Sequence, residues 1–506
     1  MIIRSCAFFF FAIGSMLLAQ APPPQGTPAA QLPLSGRGGQ GGSVNTVQTA
    51  VPGLTSSVNT LNTSIQVQGP YAGSMAGTAK PFSGKLSLRD AVARGLEYNL
   101  GAEGLTQAMR QARGQARVAR SSLLPNLNGY LRETVEQENL AALGLRIHVP
   151  IPGFTFPTIV GPFNYYDLRA TLTQTVADLT ALNNYRSARE LVKANEAALR
   201  DARDLVVLAA GGAYLQVQAA EARVRSAQAQ IDTAQALFKQ TQDRRAVGLN
   251  PQIDVNRSQV QLQTEQQRLM TLQNDVAKQK INLARLVGLP VNDNYEITDE
   301  IPYSPAPELT VEQALQQAYE NRADLKSAEA QVRAAERTRS ATRWEHAPSL
   351  AVEADYGAIG INPGQSHETY TFVGTLRIPI WQGGKTEGEA QEADAALGQR
   401  RAELQDVHGR IEADVRDAFL DIKTAANQLD VARNNQNVAR ETLALTRQRF
   451  EAGIADAVEV TQAQEAVVSA DLDYITSVFA HNLSKVALAR AIGKAEERLG
   501  QFLQMP

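Results

Sequence analysis

The feature that most constrains this chain is a twelve-residue segment that occurs twice between long helical patterns. Residues 449–460 interrupt the longest proline-free run of the sequence, and residues 244–255 repeat the segment 205 positions earlier. Gly453 matches Gly248, and a glycine ends a helix at low cost because it adopts the left-handed conformation. Asp456 is suited to cap the helix that follows. The repeated segment therefore predicts two copies of a long helical hairpin.

The duplication extends over most of the chain. An amphipathic opening segment occurs at residues 86–100 and again at 309–321, at a spacing of 223. Each copy closes with a similar segment, at residues 283–288 and 488–493, at a spacing of 205. The spacing changes because the first copy carries a longer, partly apolar loop from about residue 139 to 163.

Between the opening segment and the hairpin, each copy changes from a helical period to a period of two. Apolar and polar side chains alternate at about residues 126–138, 164–176, 349–360 and 368–381. Strands of about ten residues with one apolar and one polar face are typical of outer-membrane barrels. The half-buried sheet of a soluble protein is the commoner explanation for any one such segment. The presence of four strands behind a secretory signal favours the barrel.

The N-terminus has the pattern of a secretory signal peptide. Fourteen apolar or small residues, at positions 6–19, are too few to cross a membrane as a helix and typical of a signal sequence. The only cysteine, Cys6, lies inside this run. Since no other run of about eighteen apolar residues occurs, a membrane-spanning form would have to be a β-barrel.

These patterns predict the following organisation. It comprises a signal peptide (1–21), a disordered linker rich in Pro, Gly, Ser and Thr (22–80), a first repeat (81–290) with its helical hairpin at about 181–287, a second linker (291–308), a second repeat (309–494) with its hairpin at about 384–492, and a C-terminal tail (495–506).

Composition and motifs argue against several functions. The net charge of -3 leaves no strongly basic face for nucleic acid. The five histidines are scattered without metal-ligand spacing, and no phosphate-binding loop or nucleophile elbow occurs. We therefore predict no enzyme activity and no catalytic, cofactor or metal site.

Three functions remain compatible with a secreted protein made of long helical hairpins. A passive exit duct for efflux or secretion agrees with the signal peptide, the strands and the doubled hairpins together. A periplasmic coiled-coil adaptor would share the hairpins but should also contain a lipoyl-like β module, which is not evident. A structural coiled-coil protein would lack the alternating strands.

The order and duplication of these motifs resemble the TolC family of outer-membrane efflux proteins, over about residues 86–494. The resemblance is carried by the repeated opening, turn and closing segments, and by the segment 378–384 that leaves the last strand. It implies a mainly α fold with a membrane β-barrel, in which a homotrimer shares one barrel and each protomer contributes four strands. It also implies long periplasmic helices, contact with outer-membrane lipid, and partnership with a periplasmic adaptor (membrane fusion) protein and an inner-membrane pump.

The resemblance places the hairpin turns at the periplasmic end of the channel. The residues it assigns to adaptor docking are Arg244, Gly248, Leu249, Arg449, Gly453 and Ile454. Asp254 and Glu459 hold the same place in the two copies, and the family has an acidic residue facing the channel axis at the position of Glu459. Asp254 and Glu459 are therefore the predicted gate, with Arg244, Arg245 and Arg449 as available partners. Gln462 and Ala455 depart from the pattern of some members.

Overall fold

A computed structural model of the chain describes residues 42–51, 60–75, 77, 82, 84–145, 157–290, 295–299, 303–305 and 308–503. The predicted signal peptide lies outside these residues. The chain divides into two compact units, one formed by Gln115–Arg186 and Arg337–Ala393, the other by Ser35–Gly114, Ser187–Glu336 and Asp394–Pro506.

The strands are β1 (Val44–Val51), β2 (Thr60–Val67), β3 (Gly84–Leu86), β4 (Asn126–Asn139), β5 (Ile159–Ala177), β6 (Tyr295–Ile297), β7 (Ser349–Gly360) and β8 (Ser366–Arg377). The helices are α1 (Leu88–Tyr98), α2 (Leu100–Ser121), α3 (Leu179–Ala246), α4 (Gln252–Val287), α5 (Val311–Asn321), α6 (Ala323–Arg343), α7 (Lys385–Glu451), α8 (Ala457–Ala491) and α9 (Ala495–Phe502).

The first unit contains a four-stranded antiparallel sheet in the order β4-β5-β7-β8. Its strands alternate as the sequence indicates, and one face is apolar and exposed: Leu127, Leu131, Leu168, Phe372 and Leu376. β4 and β8 each pair on one side only among the described residues. Within the described part of the chain, the sheet therefore has two open edges and an uncovered apolar face.

Two strand ends differ from the predicted bounds. β5 begins at Ile159 and not near residue 164, because residues 159 and 160 pair with β4 beyond an irregularity between Glu136 and Glu138. β8 ends at Arg377 and not at 381. Pro379 has no N–H group to continue a ladder of hydrogen bonds, which explains the earlier end.

The second unit is built on the paired long helices. Its main core is a cluster of buried side chains contributed by α1, the central part of α3, the end of α4 and the end of α8, including Leu88, Tyr214, Leu283 and Leu483. The Tyr214 hydroxyl donates to the Leu86 carbonyl at 3.1 Å, so a buried polar group is satisfied within the core.

Among the described helices, α3 is long and apolar enough, by length and composition, to cross a membrane. The mean hydropathy of its most apolar stretch is 1.2, and 67% of that stretch is buried inside the protein. A buried core helix passes the same test, and the participation of α3 in the main core accounts for its composition.

The linker prediction for residues 22–80 is wrong where the structure describes this segment. β1 and β2 form an antiparallel hairpin, with Val44 opposite Val67. Val44 is buried in the main core, and Ile65 and Val67 pack against it. The segment is poor in apolar residues, but three of them suffice here because they pack on helices that already form a core.

The predicted second linker and C-terminal tail also contain regular structure. β6 lies in the linker 291–308 and pairs in parallel with β3. α9 lies in the tail, and its Leu499 and Phe502 join the main core together with Leu503, which follows the helix. The Asp204 carboxylate on α3 accepts the Glu496 N–H at 3.0 Å at the start of α9. This contact satisfies an N–H group that a helix start leaves unpaired, and it holds the tail in place.

Candidate functional site: the two hairpin turns

The first turn joins α3 to α4 through Gly248, whose φ is +79°. The Gly248 N–H donates to the Arg245 carbonyl at 3.0 Å, and the Leu249 N–H donates to the Arg244 carbonyl at 2.9 Å. This pair of bonds is the Schellman motif, which satisfies the last carbonyls of a helix. α4 then begins after Pro251, which makes no side-chain capping bond.

The second turn ends α7 in the same way. Gly453 has a φ of +75°, its N–H donates to the Phe450 carbonyl at 3.0 Å, and the Ile454 N–H donates to the Arg449 carbonyl at 2.9 Å. The start of α8 differs, because the Asp456 carboxylate accepts the N–H groups of Val458 and Glu459, both at 2.9 Å. The second turn therefore has a side-chain cap that the first turn lacks.

Arg244 connects the two turns. Its guanidinium donates to the carbonyls of Phe450 and Glu451, at 2.8 Å each, and lies 4.7 Å from the centre of the Phe450 ring. These carbonyls belong to the last turn of α7, where a positive charge also interacts favourably with the helix dipole. Arg244 thus holds the end of the first hairpin against the second.

The two acidic residues of the predicted gate have different partners. Glu459 forms an ion pair with Arg449 at 3.1 Å, and both side chains are about half exposed. Asp254 is largely buried and lies 3.8 Å from Arg257 on its own helix. Arg257 was not among the arginines considered from the sequence, although an ion pair three residues apart on one helix is readable from spacing.

The turns expose apolar side chains and rest on a small core of their own. Leu249 is 72% exposed and Ile454 is 70% exposed. Beneath the second turn, Phe450 is 3% exposed and packs with Leu237 from α3 and Val460 from α8. Phe450 is not among the residues predicted from the sequence, because a lone aromatic residue beside a turn gives no periodic signal.

A groove runs along the start of α4 and α8. It has a volume of about 440 Å³ and is lined by Ile253, Asn256, Arg257, Val260, Gln261, Val458, Thr461, Gln462 and Glu465. Further along α4, the buried Glu265 carboxylate accepts from Gln261 at 3.1 Å and from Arg268 at 3.1 Å. Burial raises the pKa of Glu265, and the Arg268 charge opposes that shift.

The structure brings the predicted docking residues together at one pair of turns, and it brings Glu459 to Arg449. It does not bring Asp254 to any of the three predicted arginines. Within the described part of the chain, no three His, Cys, Asp or Glu side chains are grouped so that they could hold a metal ion.

The described architecture combines long helical hairpins with an amphipathic four-stranded sheet. The family model for outer membrane efflux proteins matches residues 105–289 and 314–494, so the chain belongs to the outer membrane efflux protein family. The family that the motifs indicated is confirmed, as are the mainly α fold with a sheet and the location in the outer membrane.

Individual relatives agree with this assignment. The outer membrane protein OprJ of Pseudomonas aeruginosa is 25% identical over 431 residues, which cover 82% of this chain and 85% of OprJ. The CmeC outer membrane channel of Campylobacter jejuni superposes with a TM-score of 0.69 at 15% identity, over 91% of this chain and 98% of CmeC. The open-state MtrE channel of Neisseria gonorrhoeae superposes with a TM-score of 0.66 at 14% identity, over 81% of this chain and 90% of MtrE. These two likenesses show the fold.

Proposed function

We propose that this protein is the passive exit duct of a tripartite efflux or type I secretion system. It would conduct substrates from an inner-membrane pump and a periplasmic adaptor to the cell exterior. The observation that carries the proposal is the four-stranded sheet with an exposed apolar face and two open edges. In lipid an unpaired strand edge is too costly to persist, so the sheet must be completed by other copies of the chain.

The resemblance to the family suggests three copies. We expect the detergent-solubilised protein to be a trimer by light scattering coupled to size-exclusion chromatography. β4 of one copy would then pair with β8 of the next and close the barrel. A monodisperse monomer in detergent, or recovery of the protein outside the outer-membrane fraction, would contradict the proposal.

Adaptor docking is assigned to the two turns because they expose apolar side chains on a backbone held by Schellman hydrogen bonds. Leu249→Asp combined with Ile454→Asp should abolish pump-dependent resistance in a host that supplies the cognate adaptor and pump. Trimer assembly should persist, since both side chains project from the turns and are mostly exposed. Leu249→Met combined with Ile454→Val keeps the apolar surface and should retain efflux. Normal efflux from the double Asp variant would show that the adaptor does not dock on these turns.

The gate is assigned to Glu459, with Arg449 as its partner in this structure. Three copies of Glu459 near the channel axis would attract cations in a narrow pore. Glu459→Gln should therefore lower cation selectivity in single-channel recordings from a planar bilayer. Selectivity and conductance identical to those of the unmodified protein would mean that Glu459 serves only in a surface ion pair with Arg449.

A further inference from the structure

One row of the four-stranded sheet is organised around an arginine. The register aligns Tyr130 on β4, Arg169 on β5, Gly357 on β7 and Thr369 on β8. The Arg169 guanidinium donates to the Asp167 carboxylate at 3.2 Å and to the Thr369 hydroxyl at 3.3 Å. It also donates to the Asp355 carboxylate on β7. One side chain therefore joins three strands.

Gly357 makes this reach possible. It lies between Arg169 and Thr369 in the row, and it is the one buried position in these four strands. A Cβ at this position would stand 3.0 Å from the Arg169 Cβ and closer still to the Leu168 carbonyl. Because the position has no side chain, the Arg169 side chain can cross β7 and reach the third strand.

The bridge lies on the polar face of the sheet. Successive side chains of a strand point to opposite faces, so Asp167 and Arg169 face away from the exposed Leu168. Asp355 and Thr369 are on the same face as Arg169, since each of them accepts a hydrogen bond from the Arg169 guanidinium. If the apolar face contacts lipid, as the proposed function requires, the polar face lines the lumen.

The charges of this cluster do not balance without Arg169. Two carboxylates, Asp167 and Asp355, share one guanidinium, and all three side chains are 19–23% exposed. Arg132, the register partner of Asp167, supplies a second positive charge on the same face. Without Arg169, this cluster would carry a net negative charge in each copy. An assembly of three copies would then carry a ring of three negative charges on the polar face of the sheet.

We propose that Arg169 is a selectivity-determining residue of the channel inside the sheet, and that it acts by neutralising the lumen carboxylates Asp167 and Asp355. This inference rests on the proposed function. Fixed charges on a lumen wall attract or repel the ions that pass within the screening length, which is about 8 Å at physiological salt. Arg169 therefore sets the charge that permeating ions meet in the sheet region, separately from the turns.

The test is the reversal potential of single channels in a planar bilayer under a potassium chloride gradient. Arg169→Gln should raise the ratio of cation to anion permeability by about twofold or more, because three uncompensated carboxylates then face the lumen. Asp355→Asn removes a carboxylate and should shift the ratio in the opposite direction. The double variant Arg169→Gln/Asp355→Asn restores the balance of charge and should return the ratio towards that of the unmodified protein.

The outcomes separate this inference from the proposed function. If the unmodified protein forms no channels, the exit duct itself is contradicted. If it conducts and Arg169→Gln has the same reversal potential, only the role of Arg169 is overturned. Arg169→Lys keeps the charge and should keep the selectivity, whereas a shift equal to that of Arg169→Gln would overturn the charge-based explanation. Trimers on SDS gels without heating verify assembly in each variant.

Discussion

The two hairpin turns are copies of one sequence segment, and they agree in local structure while differing in their contacts. Both end a helix with a Schellman motif at a glycine, Gly248 or Gly453. The equivalent arginines differ: Arg244 binds the carbonyls of the opposite hairpin, whereas Arg449 pairs with Glu459 in its own hairpin. Duplication therefore preserved the bonds that a turn makes within itself, and the contacts between hairpins diverged.

The difference has a consequence for the proposed gate. The first turn is held to the end of α7 through Arg244. Asp254, which lies near the start of α4, is largely buried. The second turn has its own cap and core, and its acidic residue is exposed. The second copy thus presents the more accessible charge on the better-supported turn, which favours Glu459 over Asp254 as the pore residue.

The largest expected effect is a loss of stability at the second turn, which has a small core at a position where the first turn has none. Phe450→Ala should destabilise the second hairpin end by about 3–5 kcal/mol, because it removes a buried aromatic ring and leaves a cavity. Arg245, at the equivalent position of the first turn, is exposed. Arg245→Ala should change stability by about 0.5 kcal/mol or less. Hydrogen exchange measured on peptides covering each turn tests this, and equal protection loss in the two variants would contradict the asymmetry.

A second comparison concerns the equivalent arginines. Arg244→Ala should cost about 1.5–3 kcal/mol, since it removes two charge-assisted hydrogen bonds to helix-end carbonyls. Arg449→Ala should cost about 0–1 kcal/mol, because an exposed ion pair contributes little. Both free energies are measured from the change in hydrogen-exchange protection of peptides that cover each turn. Arg244→Ala should loosen both turns at once, and an effect confined to the first turn would argue against the connection.

The two glycines should respond alike in stability, and Gly453 provides the test of function. Gly248→Val and Gly453→Val should each cost about 1–2 kcal/mol, because a β-branched residue resists the left-handed conformation. Apart from the adjacent residues of the chain, no described atom lies within 4 Å of a Cβ built at either position, so the cost is conformational in both. Efflux should be lost in Gly453→Val while the barrel still inserts. Wild-type efflux from that variant would count against placing docking and gating at the second turn.

The smallest expected effect concerns the helix starts. Asp456→Ala removes a carboxylate that accepts two N–H groups and should cost about 1 kcal/mol. Pro251, its equivalent in the first turn, makes no capping bond, so Pro251→Ala should cost less. Asp456→Asn serves as the control, since asparagine caps nearly as well. Thermal unfolding of the trimer and exchange at residues 457–459 provide the measurements.

The sequence by itself determined the features that depend on neighbours along the chain. The turns at Gly248 and Gly453 are set by bonds that span five residues, and the strands are set by a period of two, so both can be read from local pattern. The identity of the family was also readable, because the duplication preserved the order and spacing of these local motifs. The gate acids and docking residues were predicted from the family resemblance, as positions and not as contacts, and their roles stay predictions.

Tertiary structure alone decided the contacts between residues that are far apart in the chain. Arg244 with Phe450, Arg169 with Asp355 and Val44 within the main core are of this kind. The same type of arginine pairs locally at position 449 and across hairpins at position 244, and no local pattern distinguishes the two cases. The β1–β2 hairpin was missed for the same reason. Its apolar residues are too few to fold alone, and they are ordered only by a surface that the distant helices provide.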